Sequence, residues 1–245
     1  MERYIKTYNK VIPTSLCKSI IDKFETDTRH EEVNSGHKIY KELNIDSLTD
    51  WHLLKKELMP VFQRYALKYG EDNNIQQHFW PDRFGFEQIR IKKYLPNDLD
   101  EFKLHVDVNS FHSAKRFLVI FIYLNTTEEG GETYFKDISY DVKPEEAKML
   151  MFPPHWTYPH AGKKVSKGVK YIIGTYLHYI GWNQQWFVNM RYLVIDKKDD
   201  VYLKIEAEDS IRRELGQHFT FEVPGFRFMP QFRNRVWDGK IRLFS

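Results

Sequence analysis

Phe117-Leu118-Val119-Ile120-Phe121-Ile122-Tyr123-Leu124 is an almost unbroken apolar run of strand length. A run of this kind predicts a strand buried on both faces, since a half-exposed strand would alternate apolar with polar residues. Outward from it, the chain after Gly70 reads as short strands with turns between them: Phe84 to Tyr94, Leu104 to Val108, Thr133 to Phe135, Met149 to Phe152 and Tyr171 to Ile180. The part before Gly70 has a different rhythm. A short strand leads to a turn at Ile12-Pro13-Thr14 and then a helix that Thr14 or Ser15 can cap, with Cys17, Ile20, Ile21 and Phe24 at helical spacing on one face. A second helical stretch from Leu48 to Lys68 carries Leu53, Leu54, Leu58, Val61, Phe62 and Tyr65, and Pro60 is expected to kink or split it. Helices followed by a run of short strands predict an α+β fold that is mainly β, with the helices against one side of a jelly roll.

Composition agrees with that class. The chain has 245 residues, 42% hydrophobic and 29% charged, which is enough apolar material for a real core. Aromatics reach 16%, with Phe 18 and Tyr 15, and flat rings suit a pleated surface. A net charge of +3 is too small to name a partner. The single Cys17 rules out an internal disulfide and a thiolate zinc site, and a reducing compartment is the default. MERYIKTYNK lacks the apolar core of a signal peptide, and no stretch approaches the roughly 20 apolar residues of a membrane span. A cytoplasmic protein with no membrane partner is expected.

The last sixty or so residues read as a separate, small α+β appendage. Arg191 to Ile195 and Val201 to Ile205 suit a hairpin turned at Asp199-Asp200, Ser210 to Gly216 a short helix, and two further strands close the chain. The expected division is residues 1–187 and 188–245.

Two patterns carry chemistry. On a strand, residues two apart share a face, so His105 and Asp107 are expected to point the same way. A histidine from a distant strand would complete a two-histidine, one-carboxylate face, the geometry of non-haem iron(II) with open positions. By itself a His-x-Asp pair is weak evidence, because a chain with ten histidines gives about one by chance. The second pattern, His160-Ala-Gly-Lys-Lys-Val-Ser-Lys-Gly-Val-Lys170-Tyr, places a lysine ten positions after a histidine at the start of an apolar strand. On that strand Lys170, Ile172, Gly174 and Tyr176 share a face, and a lysine turned inward there needs an anion.

The order His105-x-Asp107, Tyr123-Leu124-Asn125, Gly130-Gly131-Glu132-Thr133-x-Phe135 and His160-x-Gly162-x-x-Val165-x-x-Gly168-x-Lys170 resembles prolyl 4-hydroxylases of the iron(II)- and 2-oxoglutarate-dependent dioxygenase superfamily. The likeness runs from about Tyr94 to Tyr179. It implies a double-stranded β-helix fold, with His105, Asp107 and His160 as iron ligands. Lys170 and Tyr123 take the places of residues that hold the far carboxylate of 2-oxoglutarate, and Thr133 and Tyr94 line its pocket. Arg116 falls where some relatives contact a peptide, although a surface salt bridge suits it as well. Tyr176 stands where tryptophan is frequent, which bears on substrate fit. His155 is the rival to His160 but lacks the glycine, valine and lysine that follow; His112 and His178 read as structural. The implied cofactors are iron(II), 2-oxoglutarate and O2, with ascorbate a further candidate. The implied reaction is hydroxylation of prolyl residues in a protein or peptide, coupled to decarboxylation of 2-oxoglutarate to succinate and CO2.

From Phe219 the composition shifts: Arg227, Arg233, Arg235, Lys240 and Arg242 are set against two acidic residues, Glu222 and Asp238, with rings interleaved. Such a mixture can bind phosphates while the rings stack or pack, although the aromatic residues suit a core better. The segment Phe-x-Phe-x-x-x-Gly-Phe-Arg-Phe-x-Pro-x-Phe-Arg-x-x-x-Trp-Asp-Gly-Lys-Ile-Arg-Leu is similar to the N-terminal module of UvsW-type phage DNA helicases. That resemblance implies a phage origin, hence a host cytoplasm, and contact with duplex nucleic acid through those five basic residues. No Gly-x-x-x-x-Gly-Lys-Ser/Thr loop is present, so this chain has no motor of that type. Two other readings stand beside the hydroxylase: an oxygenase acting on nucleic acid or another small substrate, and a non-catalytic DNA-binding or interaction protein.

Overall fold

The computed structural model describes residues 2–97 and 99–180, and beyond them the backbone of four strands. The chain divides into two compact units, Met1–Trp80 with Gln88–His178, and Pro81–Glu87 with Tyr179–Ser245. In chain order the first unit begins with β1 (Lys6–Tyr8), α1 (Thr14–Thr26), β2 (Glu31–Asn34), β3 (Lys38–Asn44) and α2 (His52–Asp72). The short β4 (Arg83–Phe86) belongs to the second unit. The first unit resumes with β5 (Arg90–Tyr94), β6 (Glu101–His105), β7 (Arg116–Tyr123), β8 (Glu129–Gly130), β9 (Thr133–Phe135) and β10 (Tyr140–Val142). It ends with β11 (Lys148–Phe152), β12 (His160–Gly162), β13 (Val165–Lys167) and β14 (Lys170–Tyr179).

The strands of the first unit pair antiparallel in the order β1-β11-β7-β14-β5-β3-β6-β12-β9-β10. The apolar run Phe117 to Leu124 is central to it: β7 lies between β11 and β14, and its Leu118, Val119, Ile120, Ile122 and Tyr123 are all buried. Val119 and Tyr123 join Phe135, Val142, Leu150 and Phe152 in one apolar cluster. The sheet curls onto itself. Tyr123 of β7 and Thr133 of β9 are far apart in the strand order, yet their hydroxyls meet at 2.6 Å. This is the jelly roll that the strand run implied. Gly174 lets β14 lie tight against β7, since a Cβ there would fall 2.3 Å from that of Phe121.

The helix α1 buries Leu16, Cys17, Ile20 and Phe24. Its N-cap is Pro13, with no side-chain cap; Thr14 instead bonds Glu146 Oε2 at 3.1 Å. Three side-chain contacts fix α1 on the outer face of β5 and β14. Glu25 takes the Lys93 ammonium at 2.7 Å and the Tyr171 hydroxyl at 2.8 Å, while Phe24 meets the Tyr171 ring edge-on.

Three sequence expectations are corrected. The second helix, entered through a 3-10 turn at Thr49–Trp51, is not split and runs unbroken past Pro60, which corrects that half of the expectation. Its buried stripe of Leu58, Phe62, Ala66 and Tyr69 extends to both sides of the exposed proline, and one missing amide bond does not offset that packing. Leu53 is 73% exposed and takes no part in it. The expected strand Phe84 to Tyr94 is two strands, β4 and β5, which fall in different units. The segment between the helices, which gave no strand signal, supplies β2 and β3, and β3 sits between β5 and β6 in the sheet.

In the second unit β15 (Tyr192–Asp196) and β16 (Val201–Lys204) form the expected antiparallel hairpin pairing, with Val194 opposite Tyr202. The strand β15 also pairs with β4. The final strands β17 (Thr220–Phe221) and β18 (Ile241–Arg242) pair with each other. The expected helix Ser210 to Gly216 lies outside the described residues.

Candidate metal centre and cosubstrate pocket

His105 ends β6 and His160 begins β12, and the two are paired residues across that ladder. Asp107 reaches them by another route than the sequence suggested. The strand stops at His105, so simple alternation does not place Asp107. The chain leaves the ladder and the amides of Asp107 and Val108 both donate to the Pro154 carbonyl at 3.1 Å. One ligand-type atom from each of His105, Asp107 and His160 then lies within 4.8 Å of the others.

The orientation of each group is fixed from behind. His105 Nδ1 lies 2.7 Å from the Lys103 carbonyl and His160 Nδ1 lies 3.0 Å from that of Tyr158. A carbonyl accepts only, so each Nδ1 carries the proton and each Nε2 presents a lone pair. Asp107 Oδ1 accepts from the Tyr176 hydroxyl at 2.7 Å. Its Oδ2 is 3.3 Å from His160 Nε2, and neither Asp107 Oδ2 nor His105 Nε2, both buried, has a hydrogen-bond partner. Lone pairs facing one another in a buried space repel unless a cation stands among them, so the three residues fit a divalent metal. Burial pushes His160 down to about 4, so the ring is neutral near pH 7. Burial also opposes the charge on Asp107, but the two histidines and Tyr176 outweigh it and hold the carboxyl well below the usual carboxylate range. Phe102 stacks flat on His105 with ring centres 3.4 Å apart, and Phe152 meets His160 edge-on.

These residues line a cavity of about 70 Å³ that Lys170, Tyr123, Thr133 and Tyr94 also line. Lys170 is 2% exposed; its ammonium donates to the Gly131 carbonyl at 3.0 Å and stands 4.2 Å from the centre of the Tyr94 ring. Burial pushes it down to about 7. Gly131 has φ +81°, and a Cβ there would press Lys170 Cδ at 3.3 Å and Val165 Cγ2 at 3.1 Å, so a glycine suits the turn that meets the lysine. Asn125 clamps the start of β14, donating to the Val169 carbonyl at 2.6 Å and accepting the Tyr171 amide at 2.9 Å. Lys170 lies between those two residues. Glu132 acts on this ammonium but forms no ion pair with it, and a buried ammonium whose hydrogen-bond and ring partners are neutral fits a carboxylate ligand.

Arg116 and Tyr176 are brought to the same site. The Arg116 guanidinium lies 3.9 Å from the centre of the Tyr176 ring, and its Nη1 bonds the Asp107 carbonyl at 3.3 Å. Tyr176 thus bears directly on the Asp107 carboxylate. His155 is outside the metal-type cluster. Of the basic tail residues, Arg227, Arg233, Arg235 and Lys240 lie outside the described residues, and Arg242 is described in backbone only. The sequence reading missed Phe102, whose contact with His105 depends on the irregular end of β6. It also missed Lys92, which the alternation that places Tyr94 would have found.

Residues 89–178 match the family described as the 2OG-Fe(II) oxygenase superfamily. Residues 89–178 are a 2OG-Fe(II) oxygenase domain. That domain is accordingly a 2-oxoglutarate-dependent dioxygenase domain, of a family that uses iron(II), 2-oxoglutarate and O2, and His105, Asp107 and His160 within it are a fitting donor set for the metal. Three solved structures share the fold of this oxygenase. The viral collagen prolyl hydroxylase of Paramecium Bursaria Chlorella virus-1, in its 2OG complex, is 18% identical, with a TM-score of 0.55 over 73% of this chain and 97% of that one. A prolyl-4-hydroxylase of Pseudomonas putida is 12% identical, with a TM-score of 0.59 over 73% and 94%. The Trichoplax adhaerens prolyl hydroxylase, in complex with a hypoxia inducible factor peptide fragment, is 13% identical, with a TM-score of 0.59 over 72% and 84%. Residues 193–245 match the family described as DNA helicase UvsW, N-terminal. The ATP-dependent DNA helicase uvsW of Enterobacteria phage T4 is 47% identical over 47 residues, which are 19% of this chain and 9% of that helicase. Among the described residues no helix is long and apolar enough to cross a membrane.

Proposed function

We propose that this oxygenase hydroxylates a prolyl residue of a protein or peptide, with iron(II) held by His105, Asp107 and His160. The observation that carries the reading is the sharing of one cavity by three facing metal-type ligands and a buried, anion-seeking lysine. Lys170 would bind the far carboxylate of 2-oxoglutarate as a point charge, and the Tyr123 hydroxyl, kept protonated by burial, would donate to the same group. Thr133 and Tyr94 complete that end of the pocket. The Lys103 and Tyr158 carbonyls and the Tyr176 hydroxyl orient the three ligands, and the Phe102 and Phe152 rings shield them from water. Bound iron(II), with 2-oxoglutarate and O2, supplies the oxidation, giving succinate, CO2 and one oxygen atom for the substrate. Support for a prolyl target comes from the three solved structures named above, all prolyl hydroxylases. A panel of proline-containing peptides, read by mass spectrometry for a one-oxygen gain, tests it. Gain on proline is expected. A panel that stays unmodified while the enzyme turns over 2-oxoglutarate would remove the prolyl assignment.

A second reading follows from the match of residues 193–245: the C-terminal segment, from about residue 188, brings the oxygenase to duplex nucleic acid. Retention on duplex DNA that weakens steeply with salt, and is lost when the residues after Val188 are deleted, is expected. Equal passage of both proteins at low salt would contradict it.

A further inference from the structure

Lys92 shares a strand face with Tyr94 and lines the same cavity as the candidate metal ligands. Across the sheet it faces Glu42 on β3 and Ile172 on β14. Its ammonium stands 4.9 Å from the centre of the Tyr40 ring and 5.6 Å from that of Phe102. The side chain is 17% exposed, so it is sheltered yet within reach of a ligand. Its one ion pair among the described residues is with Glu42 Oε2 at 3.9 Å, too long for a hydrogen bond. The other oxygen, Glu42 Oε1, is taken by Arg90 at 2.6 Å. Lys38 adds a third cation to this wall, 4.7 Å from the centre of the Phe102 ring.

The charge balance singles out Lys92. In the proposed site, iron(II) and Lys170 together offset Asp107 and the two carboxylates of 2-oxoglutarate. Arg90 offsets Glu42. The ammonium of Lys92 is then left in a sheltered position with no counter-ion of its own, because the Glu42 carboxylate that it approaches at 3.9 Å is already engaged by Arg90, and that is costly. We infer that Lys92 determines specificity, receiving a carboxylate of the substrate beside the position to be oxidised. This rests on the site reading above and adds to it a chemical class: an acidic target sequence. The wall suits it, because the Tyr40 and Phe102 rings stand beside the ammonium while Lys38 and Arg90 keep the local field positive.

The test is binding without turnover. Wild type, Lys92→Gln and Lys92→Arg, loaded anaerobically with iron(II) and 2-oxoglutarate, are titrated calorimetrically with short peptides. The peptides carry proline flanked by Asp or by Asn, and a matched pair has alanine in place of proline. Wild type should bind the Asp peptides about tenfold more tightly than the Asn peptides, as a charge-assisted hydrogen bond implies. Lys92→Gln should erase that preference, Lys92→Arg should keep it, and the dissociation constant of 2-oxoglutarate should be the same in all three. Equal binding of Asp and Asn peptides by wild type would overturn the inference. So would a preference that survives in Lys92→Gln. A loss of 2-oxoglutarate affinity in Lys92→Gln as large as in Lys170→Met would also overturn it, and would assign Lys92 to the cosubstrate. Admitting O2 separates the two proposals. An acidic preference with no oxygen gained on proline removes the prolyl reading alone, and oxygen gained equally on both proline peptides removes the role of Lys92 alone.

Discussion

On the face of β5 and β14 that meets α1, Lys93 and Tyr171 both end on the Glu25 carboxylate, at 2.7 and 2.8 Å. On the opposite face Lys170 meets the Gly131 carbonyl and the Tyr94 ring, and it has no ion pair among the described residues. One strand pair therefore carries two lysines of opposite meaning. Lys93 has its counter-ion built into the chain and joins helix to sheet. Lys170 is more deeply buried, its hydrogen-bond and ring partners are neutral and Glu132 acts on it without forming an ion pair, so a ligand carboxylate is the counter-ion proposed for it. A cation's share in function is read here from the partner it lacks.

The strongest way to break that comparison is Lys170→Met. Removing one member of a buried charge pair costs about 2–5 kcal/mol, so 2-oxoglutarate affinity should fall by about thirtyfold to a few thousandfold. Anaerobic titration of the iron-loaded variant checks it, and a change below threefold would mean that Lys170 does not face the cosubstrate. Next in size is Tyr176→Phe, which removes the bond to Asp107 Oδ1 and leaves the ring under Arg116. Iron(II) affinity should drop about 10–100-fold, the usual effect of losing a group that orients a ligand. Competition with a chelator measures it. An unchanged affinity would show that Asp107 needs no such support.

A pH series sharpens the contrast further. Burial holds the free Lys170 at about 7, and a bound carboxylate raises it, so binding takes up a proton above that pH. Affinity for 2-oxoglutarate should weaken as pH rises past 7, by up to about tenfold per unit, with calorimetric proton uptake at pH 8. A flat profile from pH 6.5 to 8.5 would contradict the assignment. The smallest effect belongs to the outer face. Lys93→Met should cost about 1 kcal/mol or less of stability, because Glu25 is 41% exposed, and should leave 2-oxoglutarate binding unchanged. Thermal unfolding and the same titration report the two quantities.

Much of this was legible in the sequence, and for definite reasons. The run Phe117 to Leu124 announced a two-sided strand because nothing polar interrupts it. Lys170 was legible because inward-facing residues alternate along β14 without interruption. Asp107 was found by motif, but the stated geometry was wrong: the strand ends before it, and two amides shared by the Pro154 carbonyl do the positioning. Such a contact lies nearly fifty residues away in the chain, where no local periodicity reports it. The strand β3 escaped because Lys38–Asn44 mixes charged and apolar residues without clear alternation; Glu42 is buried there through Arg90 and Lys92. Pro60 misled because propensity is local, whereas the stripe from Leu58 to Tyr69 is held by tertiary packing.

The most direct measurement is an anaerobic titration of iron(II) with 2-oxoglutarate, following the visible absorption of the chelate in wild type and in Asp107→Ala. A saturable band in wild type, absent from a folded Asp107→Ala protein, is the expected result. Folded wild-type protein that gives no band, or a band that persists without the Asp107 carboxylate, would contradict the assignment of His105, Asp107 and His160 as the iron site.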